Sequence, residues 1–284
     1  MNNQAQSTIK RLIATALPIV ALIGTLSACG TENTAVANEN NDANARTIIV
    51  GSSASINPVD FVDEDGNLDG YEIAVLKEAD KLLPQYKFEY KKEDWKNLFI
   101  SLESNKVNIA SNFLALNSER KAKFAYTEEP TLYTDMYLAT SKNAPDIKNF
   151  DDFAGKKVLA IDGTAETEKL EEYNKKNPDA AFDLVRGVPT WEQVVASIDK
   201  GAYDAYVGSH TFIDQLNSAY GDKLKANGPV FSQEETYYLL NKDESKLTED
   251  LNKTLQQLRE NGTLKKLSEQ YLGADRTEKL DTAA

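Results

Sequence analysis

Apolar positions in this chain follow two periods that replace each other from about residue 46 onward. Thr47-Ile48-Ile49-Val50, closed by Gly51, is a β-branched run of the kind a buried strand needs. After Asp69-Gly70, the residues Ile73, Leu76, Ala79, Leu82 and Leu83 fall at helical spacing until Pro84 stops them. A strand over 87–90, a helix face of Trp95, Leu98, Phe99 and Leu102, and strands over 107–110 and 136–140 follow. The second half continues in the same way. The pattern predicts strands over 158–161, 182–185, 203–207 and 236–240, and helices over 165–174 and 191–199. Leu247, Leu251, Leu255 and Leu258 stripe a long helix that Asn261-Gly262 ends, and Thr263 is expected to cap a last one. Strands alternating with helices imply parallel sheets covered by helices, an α/β class. Two lobes are expected, residues 46–135 with 241–273 and residues 136–240, joined by two crossover strands. Residues 274–284 read as a loose polar tail.

The first 45 residues obey neither period. Lys10 and Arg11 precede an apolar stretch from Leu12 to Leu26, and Leu26-Ser27-Ala28-Cys29 closes it. This is the layout of a secretory signal peptide over residues 1–28. The stretch is shorter than the ~20 apolar residues of a span, and Pro18 interrupts it. Its end resembles the lipobox of bacterial lipoproteins, which implies cleavage before Cys29 and a lipid on its sulfur. The following residues, 29–45, are rich in Asn and small residues and read as a flexible tether.

Charge and chemistry narrow the classes further. The net charge is −13, and cleavage before Cys29 would remove only basic charges, so nucleic acid is not an expected partner. A lone cysteine permits no internal disulfide, and one histidine beside it cannot build a His/Cys metal cluster. No cofactor and no metal are expected. Asp63 through Asp69 hints at a calcium loop, but the position that must be Gly holds Leu68, so a hairpin turn is expected.

Four segments, taken in order, resemble the extracellular solute-binding proteins of amino-acid-type ABC transporters, family 3. They are Pro58 through Gly70-Tyr71-Glu72, then Asn112 through Glu119-Arg120 with Phe124 to Pro130, then Phe153-Ala154-Gly155-Lys156 with Gly163-Thr164, and Gly201-Ala202-Tyr203-Asp204-Ala205. The resemblance implies a two-lobed, periplasmic-binding-protein-like type II fold with two hinge crossover strands near Asp135 and Glu235. It also implies a non-catalytic function, the lipid-anchored, extracytoplasmic binding component of an importer. Its partners would be a permease, an ATPase, the membrane through its lipid, and an amino acid or derivative. Cystine is the leading ligand, by likeness of the run from Leu98-Phe99 to Glu119-Arg120, and the chain is expected to be a monomer.

By the same resemblance, Arg120 in one lobe and Gly163-Thr164 in the other clamp the ligand carboxylate. A planar, permanently charged guanidinium and the N–H groups at a helix start both suit that anion. The family's ammonium-binding carboxylate, five residues after Asp204, is here Ser209, which supplies no charge. Asp162, Glu166 or Glu72 are candidates to replace it, and Asn112 offers an amide carbonyl. Val59 stands where an aromatic often stacks on the ligand, so Phe61 or Trp95 are candidates for that role. His210, next to Ser209, completes the candidate site. Two alternatives stay open: a surface sensor or adhesin using the same clamp, and a lyase or hydrolase on the same scaffold with Glu72, Glu128 or Asp162 as its acid or base.

Overall fold

The computed structural model describes residues 44–279. The signal peptide, Cys29 and most of the tether lie outside the described residues.

In the first lobe, β1 (Arg46–Ser52) lies between β4 (Tyr86–Lys92) and β5 (Ile109–Ala115), parallel to both. Its alternating side chains go to opposite faces of the sheet, and each face needs cover. Three helices cover one face: α1 (Tyr71–Leu82), α7 (Ser245–Glu260) and α8 (Thr263–Leu272). Ile48, Val50, Ile73, Leu76, Leu251 and Leu255 are buried together there. On the other face α2 (Trp95–Glu103) packs Leu98 and Leu102 against Leu114. The hairpin of β2 (Phe61–Val62) and β3 (Leu68–Asp69) stands apart from the main sheet. Its turn is closed by the Asp63 carboxylate, which accepts from the N–H groups of Asp65 (3.0 Å) and Asn67 (2.7 Å).

In the second lobe β8 (Lys157–Ile161) lies between β9 (Asp183–Gly187) and β10 (Ala205–Ser209), parallel to both. Val158 and Ala160 pack with Leu170 of α4 (Ala165–Lys176) on one face. Leu159 and Tyr206 pack on the other face with residues of α5 (Trp191–Asp199) and α6 (His210–Tyr220).

Two long antiparallel strands, β7 (Leu132–Ser141) and β11 (Leu224–Leu240), run from one lobe into the other. β11 pairs with β5 through Thr236–Leu240, and β7 pairs with β10 through Met136–Thr140. The short β6 (Ala125–Tyr126) joins the end of β11. The result is one sheet shared by two lobes, the two-lobed type II architecture.

The structure differs from the sequence reading in several details, among them α6, which the pattern does not predict, and β7, which starts at Leu132. β11 begins at Leu224, twelve residues before the strand expected at 236, because Leu224–Asn227 already pair with β7 ahead of a register shift between Asn227 and Ser232. Gly228, with φ +83°, lets the chain bulge there, and the Asn227 amide group donates to Thr140 and to the Pro145 carbonyl across the gap. Thr263 does not cap α8. Gly262 takes the cap position in the left-handed region, and the Asn261 side chain accepts from the Thr263 N–H. The tail is not loose at its start. Residues 274–277 are tied down by Ser268, whose hydroxyl donates to the Ala274 carbonyl and accepts from the Arg276 N–H, both at 2.8 Å. Arg259 donates to the Thr277 carbonyl at 2.5 Å.

Candidate functional site

Strands β8, β9 and β10 end toward the first lobe, and β5 ends facing them. A cavity of about 480 Å³ opens between, lined by Trp95, Asn112, Arg120, Thr164 and Ser209 among others. That size is in the range of small-molecule pockets.

Arg120 reaches the cavity because the chain reverses directly after β5. Asn117 caps the short helix α3 (Ser118–Lys123), its side chain accepting from the Arg120 N–H at 2.8 Å. The guanidinium folds back over the strand end, where Nη1 donates to the Ala115 carbonyl at 2.5 Å. It also lies 5.6 Å from the Trp95 ring centre and 5.1 Å from that of Phe99. Nη2 crosses to the second lobe and donates to the Gly163 carbonyl at 3.1 Å. Nε is buried without a hydrogen-bond partner among the described residues. Burial lowers the Arg120 pKa to about 10, against the pull of Glu166 and Glu119, so the group is a cation at neutral pH.

Opposite it, Thr164 caps α4. Its hydroxyl accepts from the Thr167 N–H at 3.3 Å and donates to the Ile161 carbonyl at 3.0 Å. The first N–H groups of a helix have no partner within it and suit an anion. Two other candidates line the cavity with acceptors already engaged. The Ser209 hydroxyl caps α6 through the Phe212 N–H at 3.3 Å, and the Asn112 carbonyl takes the Ser53 N–H at 2.7 Å and hydroxyl at 2.6 Å.

Three predicted residues do not line this cavity. Phe61 lies on the separate β2–β3 hairpin. His210, the first residue of α6, packs on Tyr137 with ring centres 4.3 Å apart and lines a smaller cavity of about 70 Å³. Gly163 lies just beyond the cavity's rim and offers its carbonyl to Arg120 and to the Asn117 side chain.

The candidates for a replacement carboxylate separate clearly. Glu72 is wholly buried and accepts from Ser111 (2.9 Å), the Phe113 N–H (3.0 Å) and Thr131 (3.0 Å). Asp162 is exposed and pairs with Arg186 at 3.1 Å. Glu166 lines the cavity, and burial together with neighbouring Glu234 raises its carboxyl pKa. Glu128, an acid proposed for a catalytic alternative, does not line it either.

Beyond Arg120, other hydrogen bonds among the described residues also join the lobes. The Ser118 N–H donates to Glu168 at 2.8 Å and its hydroxyl bonds the same carboxylate. The Asn117 amide donates to the Gly163 carbonyl at 3.3 Å, and the Gln215 amide to the Ser55 carbonyl at 3.2 Å. Among the described residues no His, Cys, Asp or Glu group is arranged to hold a metal ion, and no helix is long and apolar enough to cross a membrane.

The sequence profile of the bacterial extracellular solute-binding proteins, family 3, matches residues 48–274, a span that contains both lobes and the cavity between them. The chain belongs to this family. Two relatives from Bacillus subtilis (strain 168) are named L-cystine-binding proteins. TcyJ is 33% identical over 238 residues, covering 84% of this chain and 88% of the relative. TcyK is 31% identical over 258 residues, covering 90% and 94%. One solved structure, described under glutathione import in Gram-positive bacteria via GshT and the cystine ABC importer TcyBC of Streptococcus mutans, matches with a TM-score of 0.71. It is 29% identical, over 82% of this chain and 97% of that one.

This family 3 chain also lines its cavity with residues that the sequence reading did not assign to a site, notably Glu93, Trp191 and Tyr206. Trp191 reads from sequence as a helix-face core residue, and it does pack edge-on against Phe212 at 4.6 Å. Alternation along β10 places Tyr206 on a strand but does not say that its ring reaches the cavity.

Proposed function

We propose that this chain is the extracytoplasmic ligand-capturing subunit of an ABC importer and that an amino acid or derivative, with L-cystine first, binds between its lobes. The observation that carries this reading is Arg120, a buried cation at the cavity wall with an unpartnered Nε and the start of α4 opposite. A ligand carboxylate placed there meets the guanidinium beside the positive end of α4, where the Thr167 N–H is taken by Thr164 and the Glu166 N–H by that residue's own carboxylate. Glu166 then supplies the anion for the ligand ammonium that Ser209 lacks. It lies close enough to Arg120 for the two charges to interact, as the adjacent carboxylate and ammonium of an α-amino acid require. The names of TcyJ and TcyK, at more than 30% identity, favour L-cystine among amino acids.

In this reading the lobes close by bending at β7 and β11, and a lipid on Cys29 holds the receptor near its permease. A thermal-shift screen of the purified protein tests the ligand class. L-cystine at ~100 times its dissociation constant should add about 2.7 kcal/mol of stability, a shift of several degrees. A screen in which no α-amino acid and no derivative moves the melting point would refute the class.

A further inference from the structure

Tyr206 is only 1% exposed, and its hydroxyl is buried with no hydrogen-bond partner among the described residues. Buried phenols normally have a partner for that group. The ring does the work of an apolar side chain: it lies in the cluster with Leu159 and Phe212, its centre 6.0 Å from that of Trp191. A phenylalanine would fill that place equally well, so packing does not account for the oxygen.

The direction of the ring shows where the oxygen goes. A Cβ built on Gly208 would fall 2.7 Å from Tyr206 Cε2 and 2.8 Å from its hydroxyl oxygen. The ring therefore leans along β10 toward the strand's C-terminal end, where Gly208 and Ser209 line the cavity, and Tyr206 lines it as well. Gly208 has no positive φ, so conformation does not explain that glycine; room for the ring does. Burial pushes the phenol pKa upward, so the hydroxyl keeps its proton and acts as a donor.

We infer that Tyr206 determines ligand specificity, its hydroxyl donating to an oxygen acceptor on the part of the ligand that lies beyond the α-carboxylate. This inference rests on the reading of the cleft as an amino-acid site. It narrows that class to amino acids whose side chain carries a distal carboxylate or carbonyl, and sets them above amino acids with a purely apolar side chain. L-cystine meets the requirement through its second carboxylate. S-methylthio-L-cysteine keeps the disulfide and lacks that group.

Calorimetric titration of the wild type and of Tyr206→Phe with these two compounds tests the inference. L-cystine should bind the variant roughly ten- to a hundredfold more weakly, because its distal acceptor is left buried without a donor. S-methylthio-L-cysteine should bind both proteins alike. Equal affinity of L-cystine for both proteins would overturn the role of Tyr206 while leaving the amino-acid site standing. A wild type that binds neither compound, nor any other amino acid, would remove the site reading and this inference with it. A ligand-free melt provides a second check. Tyr206→Phe should melt at or above the wild-type temperature, because the hydroxyl holds no part of the fold, and a clearly lower melting point would overturn the inference.

Discussion

Asp60→Asn should stabilise this protein at neutral pH and make little difference in acid. Asp60 is 0% exposed, and neither carboxylate oxygen makes a close hydrogen bond among the described residues, while the Ser52 hydroxyl and the Ser55 and Ile56 N–H groups lie near enough to offset only part of the cost of burial. Burial, and then the charge of neighbouring Glu72, hold its carboxyl well above the usual carboxylate range. Glu72 is equally buried, and burial raises its carboxyl pKa as well, but Ser111, the Phe113 N–H and Thr131 donate to it at hydrogen-bond distance and offset part of that rise. The proton therefore belongs on Asp60 and the charge on Glu72. The unfolded chain releases the Asp60 proton near pH 3.9, and the folded chain keeps it to higher pH. Stability from this group is fully present below that pH and is lost as pH rises toward the raised folded value. Within that window each pH unit costs about 1.4 kcal/mol, or roughly 3–5 °C in melting temperature for a chain of this size. An amide has nearly the same shape and no proton to lose. Melts followed by circular dichroism from pH 4 to pH 8 should show a gap between variant and wild type that widens with pH. A gap that stays constant, or a variant that melts below the wild type at pH 7, would refute a neutral Asp60. The pair also bears on the cleft, because Glu72 holds the backbone of Phe113, a cavity-lining residue at φ +52°.

Glu166→Gln should weaken L-cystine binding about tenfold or more. Its raised pKa means that the wild type should lose affinity as acid protonates it, while the variant's affinity stays flat over the same range. Titration calorimetry at pH 5 and pH 7 reads both effects. Glu168→Gln weakens the bonds from Ser118 that join the lobes, so small-angle scattering of the ligand-free protein should show a larger radius of gyration than the wild type. Those bonds hold the Glu168 pKa low, so their contribution is present above the ordinary Glu range and is lost as pH falls through the lowered value. Leu251→Ala empties a wholly buried position between α7 and the first lobe's sheet and should cost about 2–5 kcal/mol in urea unfolding.

The two-lobed architecture is legible in the chain because buried strands and amphipathic helices have different periods, and both are strong here. Ile48 to Val50 and the stripe from Leu247 to Leu258 end up where their periods put them. The start of β11 is not legible, since Gly228-Pro229 interrupts the alternation just where the strand bulges. The cap of α8 is misread for a related reason: Thr263 has the usual cap chemistry, but the left-handed Gly262 already occupies the position. At the cavity, Arg120 and Thr164 are marked by strand-to-helix turns in the sequence, and both line it. Adjacency to Ser209 places His210 beside the site in sequence, yet the first turn of α6 carries its ring toward Tyr137. Tyr206 leaves no signal in the sequence, because whether a strand tyrosine points its hydroxyl at protein or at a cavity depends on neighbours such as Gly208 that only the fold assembles.

Titration calorimetry of L-cystine into the wild type and into Arg120→Ala tests the proposed clamp most directly. The cleft reading predicts one ligand per chain for the wild type and at least a hundredfold loss of affinity in the variant, since a carboxylate buried without its cation costs several kcal/mol. An Arg120→Ala protein that binds L-cystine as tightly as the wild type would contradict it.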